Sequence, residues 1–193
     1  MIFEEVQGYI PKHWYPMDIF NERYKVIPLD PRSEEYTFVY DLVKGSYYTY
    51  MEGIFKIQNP LLYTKYCLKK KDYESRGSVS ELHLFHDTDS NNAESISCYN
   101  FDWRMGKRFK YGPGVYFSAA PNLANKHSCR SNGLFRSMFV ADVLIQNSQV
   151  ADSNIFLPDY GFDTVRSLNG ATFVKYFDCE YYPKYFVNYV SVL

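Results

Sequence analysis

Two short stretches put chemically useful side chains where a folded chain can present them. In "ELHLFHDTDSNN" (81–92) an apolar, alternating run ends in His86, and Asp87 and Thr88 follow at once. An imidazole at a strand end can hold a substrate hydroxyl or move a proton near neutral pH. A histidine in an apolar strand is also a common core residue, and alone His86 fits either reading. In "YGPGVYFS" (111–118), Gly112 and Gly114 stand just before a strand-like run that carries Tyr116. Glycines at that spacing let the backbone come close to another chain or a ligand.

Other polar residues invite a plainer reading. His13 and His83 suit structural or surface roles, and Asp163 in "GFDT" suits a turn as well as a site. Cys67, Cys98, Cys129 and Cys179 are widely spread with no C-x-x-C pair. That spacing is no zinc pattern, and a chain of this size needs no disulfide framework, so reduced thiols and no metal are expected. Lys69, Lys70 and Lys71 end a helical pattern, where cations meet the negative pole of the helix. In "NFDWR", Phe101 and Trp103 read as core anchors, with Asp102 and Arg104 tying a loop.

The elements that must position these residues are legible in outline. Ser33 caps a helix through "SEEYTFVYDLVKG", with Glu34 and Glu35 at its positive end and Gly45 as its stop. "GIFKIQN" alternates as a strand, and "NPLLYTKYCLKKK" is a second helix with Asn59 as cap and Pro60 at the first position. A strand over "ELHLFH" and a short helix over Ser90–Cys98 follow. "GVYFSA", "SMFVADVLIQ", "TFVKYF" and "YFVNYVSV" are further strands between turn-forming clusters. The near-continuous apolar run of "SMFVADVLIQ" marks a central strand buried on both faces. The expected class is α+β: helices first, a multi-stranded body after, in one domain over 1–193 with 1–10 as a loose extension.

Composition agrees. The 193 residues include 20 Tyr and 15 Phe, which fill pleated surfaces well. A formal net charge of −1 gives no reason to expect nucleic acid or an acidic membrane as partner. The acidic start "MIFEEVQGYI" is no signal peptide, and no apolar run is long enough to span a bilayer. A cytoplasmic or nuclear location is expected.

Taken together, "LFHDT", "NFDWR", "YGPGVYF" and "YYPKYFVNY" resemble the catalytic domain of the poly(ADP-ribose) polymerase family. The likeness is greatest to its mono-ADP-ribosylating CCCH-zinc-finger/WWE branch, whose members read L-F-H-G-T, N-F-D-W-R, Y-G-K-G-x-Y-F-A and Y-P-E-Y. "PKHW", "SEEY" and "IQN" extend it upstream to about Pro11. The resemblance implies two packed, mostly antiparallel sheets around an NAD cleft. It implies NAD as substrate, loss of nicotinamide, transfer of ADP-ribose to a protein acceptor, and no metal.

By the same resemblance, the catalytic triad falls on His86, Tyr116 and Thr172. Contacts to NAD fall on His86, Asp87, Thr88, Gly114, Tyr116, Ala124 and His127. Thr172 occupies the slot where glutamate goes with polymer growth, so single transfer is implied. Asp87 stands in place of the family's glycine and would add bulk and charge at the pocket floor. Ala124 replaces a serine, His127 a tyrosine and Pro113 a lysine. These clustered changes leave a second reading, an inactive pseudo-transferase acting as a binding or scaffold module. A toxin-type transferase would need a late acidic residue, and Glu180 falls outside that slot. The sequence shows no zinc-finger, WWE or helical regulatory segment, so activation by DNA is not expected.

Overall fold

The structure, a computed structural model, describes residues 2–46, 48–106, 109–128, 134–151 and 155–191. Helix α1 (Ile2–Tyr9) occupies the expected loose extension. It lies on α3 (Pro60–Arg76) with Val6 buried, and Tyr9 holds Lys71 over its ring at 4.6 Å. The amphipathic contact explains why this short segment has a place at all.

Strand β1 (Lys25–Pro28) precedes α2 (Glu34–Val43), where the Ser33 hydroxyl accepts from the Tyr36 N–H as a cap should. Strand β2 (Tyr48–Gln58) leads to α3, capped by the Asn59 side chain on the Leu62 N–H. Helix α3 outruns its expected end by a full turn and more, to Arg76. The three lysines of its basic run are all engaged: Lys69 with Asp72, Lys70 with Glu81 and Lys71 with Tyr9. The basic run therefore lies within the helix rather than at its negative end, because α3 continues to Arg76, and its cations are taken up by neighbouring side chains.

The body is β3 (Ser80–Asp89), α4 (Ala93–Tyr99), β4 (Val115–Ser118), α5 (Pro121–His127), β5 (Phe135–Ile145), β6 (Ser148–Ala151), β7 (Thr164–Ser167), β8 (Thr172–Lys175) and β9 (Tyr181–Ser191). The expected helix over Ser90–Cys98 divides into a 3₁₀ turn, Ser90–Asn92, and α4. The strands run in the order β1-β2-β9-β5-β3-β4-β8-β7-β6. Every pairing is antiparallel except that of β6 with β7.

The two expected sheets are joined through one residue pair, Phe85↔Ser118. One half is β1-β2-β9-β5-β3 and the other β4-β8-β7-β6. Beyond Phe85, strand β3 loses its β4 neighbour while it stays paired to β5 as far as Asp89↔Arg136. Side chains from both halves, including Leu84, Phe117, Phe139, Phe173 and Phe186, fill one apolar core. The break between the halves therefore opens beside His86, Asp87 and Thr88.

Strand β5 is buried from Arg136 to Leu144, as a central strand must be. Cys67, Cys98 and Cys179 are free thiols, and Cys129 lies outside the described residues. Among the described residues no cluster of ligating side chains could hold a metal, and no helix is long and apolar enough to cross a membrane.

Candidate active site at the sheet break

His86 sits at the break with its ring against Phe101, 4.9 Å between centroids, and Phe117, 6.1 Å away. Its Nδ1 lies 2.8 Å from the Tyr116 carbonyl oxygen. A carbonyl only accepts, so Nδ1 carries the proton and Nε2 is left as an acceptor. Burial drives the imidazole pKa below its ordinary value, outweighing the opposite pull of the Tyr116 carbonyl and of Asp87. The ring is therefore neutral at pH 7, a fixed acceptor rather than a cation.

Tyr116 is held just as firmly. Its hydroxyl accepts from the Tyr111 N–H at 2.8 Å and donates to the Gly112 carbonyl at 2.9 Å, closing the loop that carries the two glycines. Phe109 and Tyr111 stand 6.4 and 6.5 Å from its ring. The glycines serve the chain itself. Gly112 has φ +85°, and a Cβ there would lie 2.0 Å from the Phe156 carbonyl oxygen. A Cβ on Gly114 would lie 2.6 Å from the carbonyl of Lys175. Close backbone packing between β4, β8 and the 155–156 segment thus explains both.

Antiparallel partners share a face, so Tyr116, Ser118, Thr172 and Val174 look to one side of the β4–β8 pair. Thr172 is one diagonal step from Tyr116 across that pair. Among the described residues no hydrogen bond joins its hydroxyl to His86 or Tyr116. The structure thus ties the His86 ring to the Tyr116 backbone, and register sets Thr172 on the Tyr116 face of the β4–β8 pair. Thr88 accepts from the Asn92 side chain at 2.8 Å, which fixes the turn after β3.

Asp87 differs from its expected effect. Strand alternation turns its carboxylate away from His86 and into the interior, where the side chain is 1% exposed. One oxygen accepts from the Tyr189 hydroxyl at 2.6 Å, the other from Arg136 Nη2 at 3.2 Å. Tyr189 in turn accepts from the Asn125 side chain at 2.6 Å. The Asp87 φ is not positive, so the glycine slot imposes no left-handed strain here. The charge is therefore buried and paired inside the fold.

Helix α5 packs on β3 and β4 and carries the last two candidates. Ala124 is buried in the core with Phe85, Met138 and Tyr189, while His127 is exposed at the helix end. Arg136, Tyr189 and Asn125 escape sequence reading, although an arginine opening an otherwise apolar strand is a usable signal. In "NFDWR", Phe101 is core but Trp103 is 40% exposed, against its reading as an anchor. Asp102 does bind Arg104, with both bonds at 2.8 Å.

The remaining late residues are structural. Glu180 and Asp163 flank the fully buried Lys175, at 3.1 and 2.6 Å from its Nζ, and Tyr73 donates to Glu180. Tyr182 donates to the Ile57 carbonyl, Tyr185 to Glu35 and Tyr181 to Asp178. His83 binds Asp142 at 2.7 Å, and His13 is exposed.

The family model described as poly(ADP-ribose) polymerase catalytic domain matches residues 33–189. The chain is 29% identical over 195 residues to protein mono-ADP-ribosyltransferase PARP12 of Mus musculus, covering 93% of this chain and 27% of that protein. It is 28% identical over 214 residues to protein mono-ADP-ribosyltransferase PARP11 of Homo sapiens, covering 93% and 63%. Protein mono-ADP-ribosyltransferase PARP14 of Homo sapiens is 26% identical over 199 residues, covering 93% and 11%. The chain spans less than two thirds of the length of each of these relatives.

Proposed function

The chain belongs to the poly(ADP-ribose) polymerase catalytic-domain family, and on that basis we propose that it is a protein mono-ADP-ribosyltransferase domain with NAD as substrate. We place it in the CCCH-zinc-finger/WWE branch on the strength of "NFDWR", "PKHW" and "SEEY". Its partners on this reading are NAD and a protein acceptor inside the cell, in cytoplasm or nucleus, with neither nucleic acid nor membrane.

In such a transfer the bond from the ribose anomeric carbon to the nicotinamide nitrogen breaks, and nicotinamide leaves with the electron pair. An acceptor side chain gives up its proton and forms the new bond to that carbon. The one observation that carries the proposal is the neutral His86 ring locked onto the Tyr116 carbonyl. Its Nε2 can accept a ribose hydroxyl without having to reorient, and preorganised acceptors of this kind favour the charged sugar of the transition state. Tyr116, tied at its hydroxyl, offers a rigid aromatic face for a flat nicotinamide ring. The extended backbone at Asp87 and Thr88 suits the amide of the same ring, since the Asp87 carboxylate is turned away.

Thr172 explains why one unit is added rather than a chain. A carboxylate in that slot would orient a sugar hydroxyl as acceptor and stabilise positive charge on the ring, and a neutral hydroxyl does little of either. The pseudo-transferase reading draws on Ala124, whose buried methyl offers no hydrogen bond where the family has serine. That costs about 0.5–1.5 kcal/mol of nicotinamide affinity, too little to empty a cleft.

Incubating the folded chain with NAD and an acceptor extract, then measuring released nicotinamide and added mass, tests the proposal. The expected product carries single ADP-ribose units and vanishes with His86→Ala. Polymer formation, or no labelling under any condition by a folded chain, would sink it.

A further inference from the structure

Asp87 is the residue that departs most from the family's pattern, and the structure gives it a partner set that glycine could not have. Its carboxylate is the centre of a buried polar chain running Asn125–Tyr189–Asp87–Arg136. All four residues are nearly inaccessible to solvent. They come from four elements: α5, β9, β3 and β5. Two of these elements border the sheet break. Asp87 lies on the β3 edge next to His86, and Asn125 lies on α5 between Ala124 and His127.

The direction of each bond is fixed by chemistry. A carboxylate only accepts, so the Tyr189 O–H donates to it at 2.6 Å, and burial together with the Asp87 charge keeps that phenol protonated. The same phenol oxygen accepts from the Asn125 amide at 2.6 Å. Arg136 brings the compensating charge, with its side chain 5% exposed. Polarised chains of this sort hold their members in one arrangement more strictly than apolar contacts do.

We propose that Asp87 is a positioning residue: its carboxylate, clamped by Arg136 and Tyr189, locks α5 against the β3 edge and so fixes the width of the cleft. What looks like an obstruction in the glycine slot is then an internal brace. Loss of the brace, rather than its presence, should impair the site. The part of this inference that concerns NAD rests on the transferase reading above, whereas the mechanical part does not.

The test therefore has two readouts on three variants, Asp87→Gly, Asp87→Asn and Tyr189→Phe. The first readout is hydrogen exchange of the intact chain without NAD. Asp87→Gly should raise local exchange in residues 121–127 by about tenfold or more, relative to the middle of β9. Asp87→Asn, which can still accept from Tyr189, should recover part of the protection. Tyr189→Phe, which cuts the link to Asn125 while the Asp87–Arg136 pair stays, should raise exchange in α5 alone. The second readout is NAD affinity, which Asp87→Gly should lower even though it installs the family's own residue.

Unchanged protection of α5 in Asp87→Gly and Tyr189→Phe overturns the brace. So does tighter NAD binding by Asp87→Gly, which would mark the aspartate as an obstruction. If neither the parent nor any variant binds NAD, the transferase reading fails while the exchange result still decides the brace. Should Asp87→Gly not fold, Tyr189→Phe and Asp87→Asn carry the same comparison.

Discussion

In the proposed site, His86 shows how much one ring can have settled before any ligand arrives. Its Nδ1 proton is committed to the Tyr116 carbonyl and its pKa is held below the usual imidazole value by burial. Because the folded-state pKa is depressed, the unfolded chain binds more protons near pH 6 than the folded one. This group's contribution to stability therefore rises with pH through that window and is lost on acidification. Function should follow the same sense, since protonation turns Nε2 from an acceptor into a donor. NAD binding measured against pH should be flat above about 6.5, the ordinary imidazole value, and fall below it with a midpoint under that value. A midpoint above it would contradict the assignment of a neutral ring. Asp87 teaches a different lesson at the same scale. Its identity in the sequence raises the question of a blocked pocket, but only the alternation of β3 and the positions of Arg136 and Tyr189 answer it.

Among the elements, the long and strongly patterned ones are legible in the sequence. The helix caps Ser33 and Asn59, the central strand β5 and the late strand β9 follow from cap chemistry and apolar runs. The pieces that escape are β1, β6 and β7, each four residues long, and the helices α1 and α5. Strands so short show too few alternations to stand out, and only pairing with neighbours makes them strands. Strands β7 and β8 depend on a further device. Lys175 on β8 is fully buried with Asp163 beside β7 and Glu180 before β9, and Asp163 also accepts from the Thr164 hydroxyl and the backbone of the turn after β5. Replacing Lys175 by Met leaves two buried carboxylates facing each other without a cation. That change should cost about 3–5 kcal/mol, read as a large drop in melting temperature. A loss within about 1 kcal/mol would show that the pair contributes little to holding these strands.

At the scale of the whole molecule, one architectural event makes the site. A nine-strand order is continuous through a single pair, Phe85↔Ser118, and the strand that carries His86 outlasts its neighbour there. The family's motifs, read from "LFHDT" to "YYPKYFVNY", announce the cleft and its histidine and tyrosine. They do not announce the buried brace, because Arg136, Tyr189 and Asn125 are far apart in sequence and meet only across β3, β5, β9 and α5. Nor do they reveal that Gly112 and Gly114 pack closely against Phe156 and Lys175.

Whether His86 and Tyr116 hold NAD is decided by calorimetric titration of the chain with NAD, run beside His86→Ala and Tyr116→Ala. Saturable binding by the parent is expected, weakened about tenfold or more in either variant, the scale set by one well-made hydrogen bond or one aromatic wall. A folded parent that gives no heat and no thermal stabilisation with NAD, or variants that bind as tightly as the parent, would contradict it.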